Sequence, residues 1–197
     1  MITKLPEARN NHLVVIQFLD EKEPPTGKSL AAIIAQYCPY IEHVHYFSFS
    51  NGETLKEFLL SKMADYFEDK SNVIIYIDSH GTEKGSGIAT KQNAFVDWKC
   101  LINSLKIACS KLIKRPTLIL TACNGIGIKD FIDQLDEPMV SKLIAGNGIM
   151  LNGPVLGAFR KILEEKGIDL NKEDVKKVND IIKLRFPDHP EFDYIEY

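Results

Sequence analysis

The order of apolar and polar positions sorts most of the chain into alternating strands and helices. His12 to Leu19 is apolar, with Val14, Val15 and Ile16 at its centre, and predicts a strand buried on both faces. Pro24 to Gly27 is a loop. Lys28 to Cys38 carries Leu30, Ile33, Ile34 and Tyr37 at helical spacing. Ile41 to Phe49 predicts a second strand, closed by Asn51 and Gly52. A helix from Thr54 to about Phe67 follows, with Leu55, Phe58, Leu59 and Met63 on one face. Asn72 to Ile77 predicts a third strand. Beyond the Gly-rich stretch Gly81 to Gly87, Ile88 to Thr90 and Ala94 to Val96 predict a short hairpin around Lys91 to Asn93. Asp97 is suited to cap a helix from Trp98 to about Leu112. Pro116 opens a fourth strand, Thr117 to Thr121. A short helix from about Ile128 to Leu135 and a fifth strand, Met139 to Ala145, come next. Asn152 and Pro154 start a helix that runs to Lys166 and stops at Gly167. Asn171 to Phe186 is a last amphipathic helix. The tail from Pro187 to Tyr197 is acidic and aromatic and receives no element.

Strands that are apolar on both faces and alternate with helices predict an α/β fold: a mostly parallel central sheet with helices on both faces, in three layers. No internal repeat, linker or low-complexity segment interrupts the pattern. The expectation is one domain over residues 1–197, with its core at about 12–186.

Composition narrows the function classes. Hydrophobic residues make up 45% and charged residues 26%, which are ordinary globular values. No apolar run approaches the roughly 18 residues of a membrane span. The net charge of -3, with lysines scattered among acids, argues against direct binding of nucleic acid or of a membrane surface. Met1 to Asn11 is polar and carries no apolar signal core. Cys38, Cys100, Cys109 and Cys123 show no CxxC spacing, so the expectation is a cytoplasmic protein with reduced thiols.

In a parallel α/β sheet, sites form beyond the carboxyl ends of the strands. The third strand ends in Asp78-Ser79-His80-Gly81 and the fourth in Thr121-Ala122-Cys123-Asn124-Gly125. If the two strands are neighbours, about 4.8 Å apart, His80 and Cys123 meet at one edge. A thiol attacks carbonyls as the thiolate, and an adjacent imidazole can take its proton and later protonate a leaving amine. The expected helix start after Cys123 favours negative charge on the sulfur. Glycine at Gly81 and Gly125 allows close backbone approach, so the N–H groups of Gly81 and Cys123 are candidates for an oxyanion hole.

A strand ending in His-Gly, then a hairpin and helix, then a strand ending in Ala-Cys-x-Gly resembles the caspase-like cysteine peptidases. That group includes caspases, metacaspases, legumains, gingipains, separases and the bacterial CHAT domains. His80 and Cys123 are 43 residues apart, similar to the roughly 50 expected for caspases. The two motif segments, Ile75 to Gly81 and Leu118 to Gly125, are closest in style to CHAT domains, and Gly153 to Gly167 looks like the final CHAT helix. The resemblance covers roughly residues 12–166, chiefly as element order. It implies a cysteine endopeptidase with His80 as general acid/base, Cys123 as nucleophile and Gly81 as an oxyanion donor, acting on a protein or peptide substrate. It also implies no metal, no other cofactor and no obligatory third carboxylate. A regulatory protein partner in a signalling or defence system is implied as well. The sequence departs from the group at Thr121, where metacaspases and legumains carry an acid and caspases a Gln. Neither a basic nor an Asp preference therefore carries over, and Asp78 and Thr121 stand as candidate substrate-binding residues. No long segment follows Cys123 to serve as a processed linker, so maturation by cleavage is not expected.

Other readings stand beside these. Cys123 at a strand end also suits a small buried hydrophobe. Asp78 either orients His80 or closes a turn. Cys100 and Cys109 lie among leucines of one helix and fit core packing, and Cys38 fits a structural role. His43 and His45 share one strand face but lack an evident third metal ligand. Gly85-Ser86-Gly87 lacks the Lys-Ser/Thr ending of a phosphate loop and reads as a mobile lip of a cleft. A caspase-like interaction module with weak or no catalysis is the alternative function. A flavodoxin-like ligand-binding domain would explain the fold but not the two motifs.

Overall fold

The computed structural model describes residues 10–92 and 94–197. The expectations for Met1 to Asn11 and for the hairpin tip at Asn93 fall, respectively, mostly and wholly outside them. The chain forms the α/β architecture that the apolar pattern predicts. Strands β1 (Asn11–Phe18), β2 (His43–Phe49), β3 (Asn72–Gly81), β6 (Thr117–Leu120) and β7 (Lys142–Gly146) are mutually parallel. The order across the sheet is β2-β1-β3-β6-β7-β8, where β8 (Phe192–Glu196) runs antiparallel to β7. A small hairpin, β4 (Gly87–Ala89) and β5 (Phe95–Asp97), pairs with the tip of β3.

Side chains of a strand alternate between faces, and each face here has its own core. Val14, Ile16 and Phe18 of β1, Ile75 and Ile77 of β3, and Leu118 and Leu120 of β6 pack on one side. They meet α2 (Gly52–Glu57), α3 (Met63–Phe67), α4 (Trp98–Cys109) and α5 (Lys129–Ile132). Leu13, Val15, Ile74, Tyr76 and Ile119 pack on the other, against α1 (Thr26–Tyr37), α6 (Asn152–Lys166) and α7 (Lys172–Lys183). Burial on both faces is what makes these strands continuous apolar runs, and three layers are the result.

Helix starts follow their caps. Asn51 accepts from the Glu53 N–H, so α2 begins two residues before the expected Thr54. Asp97 accepts from the Cys100 N–H at the head of α4. Asn171 and Asp174 form a capping box on α7. The helix expected from Thr54 to Phe67 contains a π turn, Phe58–Lys62, between α2 and α3. The sheet differs from the expectation in two places. The fifth strand begins at Lys142 rather than Met139, because its partner β6 begins only after Pro116, which has no N–H to pair. The tail, which received no element, supplies β8, whose ladder runs from Phe192 opposite Gly146 to Glu196 opposite Lys142.

Candidate active site

The geometry of the site follows from a register. Ile74 pairs with Thr117 and Ile77 with Leu120, an offset of 43 residues between β3 and β6. The same offset separates His80 from Cys123. The ladder ends at that last pair, so Cys123 sits three residues past β6, in the turn beside the tip of β3 that carries His80. They also share a face. Ile74 and Tyr76 face α1 and α6, so Asp78 and His80 face that way too; Ile119 does likewise, and Cys123 packs against the same cluster.

Gly81 brings the tips together. A Cβ on Gly81 would lie 1.7 Å from the Cys123 carbonyl oxygen and 2.9 Å from the Cys123 nitrogen. No residue but glycine allows that approach. Thr82 donates its N–H to the Gly87 carbonyl, so the 82/87 and 80/89 pairs are the bonded ones of the β3–β4 ladder. Gly81 falls in a non-bonded pair, and its N–H and C=O turn away from β4 toward Cys123. The chain then turns sharply: Gly125 N–H bonds the Ala122 carbonyl, and Asn124 takes the left-handed region at φ 53° that Asn tolerates.

His80 is held by a residue that the sequence reading did not single out. Its Nε2 lies 2.7 Å from Glu23 Oε1, and Lys91 Nζ reaches the same oxygen at 2.8 Å. Glu23 Oε2 accepts the Asp20 N–H, and Asp20 Oδ2 accepts the Gln92 N–H. The loop after β1 and the turn after β4 are thus strapped together over His80. Burial works to raise the Glu23 carboxyl. Hydrogen bonds from Lys91, His80 and the Asp20 N–H outweigh it and hold the group below the ordinary carboxylate value. Glu23 is consequently an anion, and it favours the tautomer with the proton on Nε2 and the lone pair on Nδ1. No local signal marks Glu23: it reaches His80 because β1 lies beside β3 with Phe18 opposite Ser79, so that the loop after β1 passes the tip of β3.

The Cys123 sulfur accepts the Met150 N–H at 3.3 Å, from the loop between β7 and α6. The Asn124 N–H bonds Gly148 of the same loop. Among the described residues no hydrogen bond joins Cys123 directly to His80. The helix expected after Cys123 is a 3-10 turn, Gly125–Ile128, followed by the four residues of α5, so the dipole beside the sulfur is small.

Asp78 and Thr121 lie two residues before His80 and Cys123 along the chain. Both are buried and engaged within the fold. Asp78, only 3% exposed, accepts from the Thr26 hydroxyl at the head of α1, where the Gly27 N–H bonds Gln17 Oε1. Burial, the larger effect, holds its carboxyl above the ordinary value. The Thr121 hydroxyl donates to the Ile77 carbonyl at 3.1 Å. Gly85 to Gly87, expected as a mobile lip, is a bonded turn: Trp98 Nε1 donates to the Gly85 carbonyl, and Ser86 N–H to Thr82 Oγ1. The Trp98 ring is fully buried, which pins the turn.

No known protein-family profile and no curated protein matches the chain. Among solved structures it is similar to Raptor from Chaetomium thermophilum. That likeness has a TM-score of 0.43 at 12% identity, and covers 86% of this chain and 20% of Raptor. The chain thus spans about a fifth of Raptor's length, and a likeness at this level does not bear on what it does.

The remaining candidates are placed as follows. Cys38 is buried and donates to the Leu163 carbonyl, and Cys109, the last residue of α4, is buried in the core. All four cysteines are free thiols. His43 and His45 join His12 in a stack, with ring centroids 4.7 Å apart for His12 and His43. The described residues include no group of three ligands placed to hold a metal ion. No described helix is long and apolar enough to cross a membrane.

Proposed function

We propose that the chain is a caspase-like cysteine endopeptidase, closest to CHAT domains, with His80 and Cys123 as its catalytic dyad. The observation that carries this reading is the β3 tip lying beside the turn after β6, with His80 and Cys123 on one face and the Gly81 backbone packed on the Cys123 peptide unit. A peptide carbonyl lying beside Cys123 is attacked by the sulfur, forming an S–C bond while the thiol proton passes to His80 Nδ1. The Gly81 N–H, turned toward Cys123, is placed to donate to the developing oxyanion. His80 then gives the proton to the leaving amine as the C–N bond breaks. Water adds to the thioester, His80 takes its proton, and the carboxylic acid departs with the thiol restored. Glu23 holds the imidazole in its orientation and stabilises the imidazolium, as a positioning residue. The chemistry requires a reduced Cys123, so the proposed setting is cytoplasmic, with a protein or peptide substrate and a regulatory protein partner.

A second reading, an interaction module of the same fold with weak or no catalysis, draws on one observation. Each reactive group is already engaged elsewhere, His80 by Glu23 and Cys123 by Met150. An activator that realigns the tips would reconcile the two readings.

The deciding experiment labels the native protein with acyloxymethyl-ketone peptides of varied sequence. Stoichiometric modification of Cys123, absent in Cys123→Ala and in His80→Ala, is the expected result. Peptide cleavage retained by Cys123→Ala would remove the peptidase reading. A stable partner complex whose output is unchanged by Cys123→Ala would establish the interaction module instead.

A further inference from the structure

The loop that touches the Cys123 sulfur is also where apolar side chains reach solvent. Met150 turns its side chain into the core while its N–H meets the sulfur. Its neighbours turn outward: Ile149 is 72% exposed and Leu151 45%. Facing them, after α7, stands Phe186 at 40%. Large apolar side chains on open surface carry a hydration cost, and a cluster of them rimming a concavity marks a binding surface. Ile149, Leu151, Phe186, Pro187 and Pro190 line such a concavity, of about 550 Å³. That lies within the ~300–1,000 Å³ range of ligand clefts.

The groove is preformed. Leu151 donates its N–H to His189 Nε2 at 3.0 Å, and the other ring nitrogen, His189 Nδ1, lies 2.6 Å from the Pro190 carbonyl. The Asn147 N–H bonds the Glu191 carbonyl. Gly148, at φ 128°, leaves room for the Pro190 ring, which a Cβ would meet at 2.7 Å. Two loops distant in sequence are thereby stitched into fixed walls.

We infer that this groove is the specificity subsite of the peptidase and takes large apolar side chains of an extended peptide. The inference rests on the proposed function, and two features single out the occupant. Ile149 and Leu151 of the groove wall flank Met150, whose N–H meets the thiol, so a chain seated there passes close to the sulfur. The rim bears one Arg185 and one Asp188, whose charges offset each other and select neither an acidic nor a basic side chain.

The test separates the groove from the chemistry. Fluorescent peptides carrying Leu, Phe, Asp or Arg at successive positions are titrated against the full chain bearing Cys123→Ala, which binds without reacting. The expected result is at least about tenfold tighter binding of the Leu and Phe peptides, lost by about tenfold in Ile149→Ser and in Phe186→Ser. Both substituted sites are exposed, so an unchanged melting temperature serves as the fold control. Equal or tighter binding of the charged peptides, no effect of either substitution, or no binding of any peptide overturns the inference. The native protein is labelled in parallel with the matching ketones. Apolar peptides that bind in the groove without modifying Cys123 would sink the peptidase reading and leave the groove. Labelling that is indifferent to Ile149→Ser and Phe186→Ser would do the reverse.

Discussion

At the scale of single residues, the anionic Glu23 sets the chemistry available to His80. A carboxylate on Nε2 leaves Nδ1 as the basic nitrogen of the neutral ring. Nitrogen-15 NMR of the histidine rings is expected to show the Nε2–H tautomer for neutral His80. In Glu23→Gln the tautomers should become mixed. The same substitution is expected to lower kcat by roughly tenfold to a hundredfold, within the span that general acid–base catalysis covers, with KM little changed. A purely structural Glu23 would instead show lost stability with an unaltered tautomer. Asp78 is a lesson of the same kind. Its place two residues before His80 suggests a site residue, but alternation along a strand only decides its face. Depth decides its role, and depth has turned Asp78 to the head of α1.

At the scale of elements, the decisive contact is backbone on backbone. The tip of β3 lies against the turn after β6 with no room for a methyl group at Gly81. Gly81→Ala is expected to force the tips apart. The cost in stability should be about 1–3 kcal/mol, as for other overpacked sites, read as a lower urea midpoint. Labelling at Cys123 should fall more steeply than stability, because the displaced groups are the proposed reacting ones. A melting temperature and labelling rate equal to those of the native protein would show that the tips are not held this way. The hairpin β4–β5 serves the same end: it carries Lys91 and Gln92 to the Glu23 loop.

At the scale of the whole molecule, the end of the sheet opposite the proposed site bears on stability. Near the start of β1, away from the strand tips, His12 is buried between β2 and α3. Burial, together with the nearby His43, Lys70 and His45, lowers it to about 4. The unfolded chain protonates this histidine near 6.5, and the folded chain does not until about 4. Between those values the unfolded state takes up the extra proton, so stability present above about pH 6.5 is lost as pH falls toward 4. Urea midpoints measured across that window should drop in the native protein and drop less in His12→Phe. Parallel curves for the two would mean that His12 is not the titrating group.

The sequence by itself determined the layers, most element spans and the two strand-tip motifs. Those features are local: an apolar run, a cap or a stop is written in adjacent residues and acts within one element. That His80 and Cys123 each follow a buried strand was legible too, but not that those strands, β3 and β6, are neighbours. Only the tertiary structure decided the rest. The strand order, β8 from an unassigned tail, Glu23 on His80, Met150 on Cys123 and the apolar groove each join segments far apart in the chain. Such contacts depend on how whole elements pack, and no periodicity in either segment records its partner.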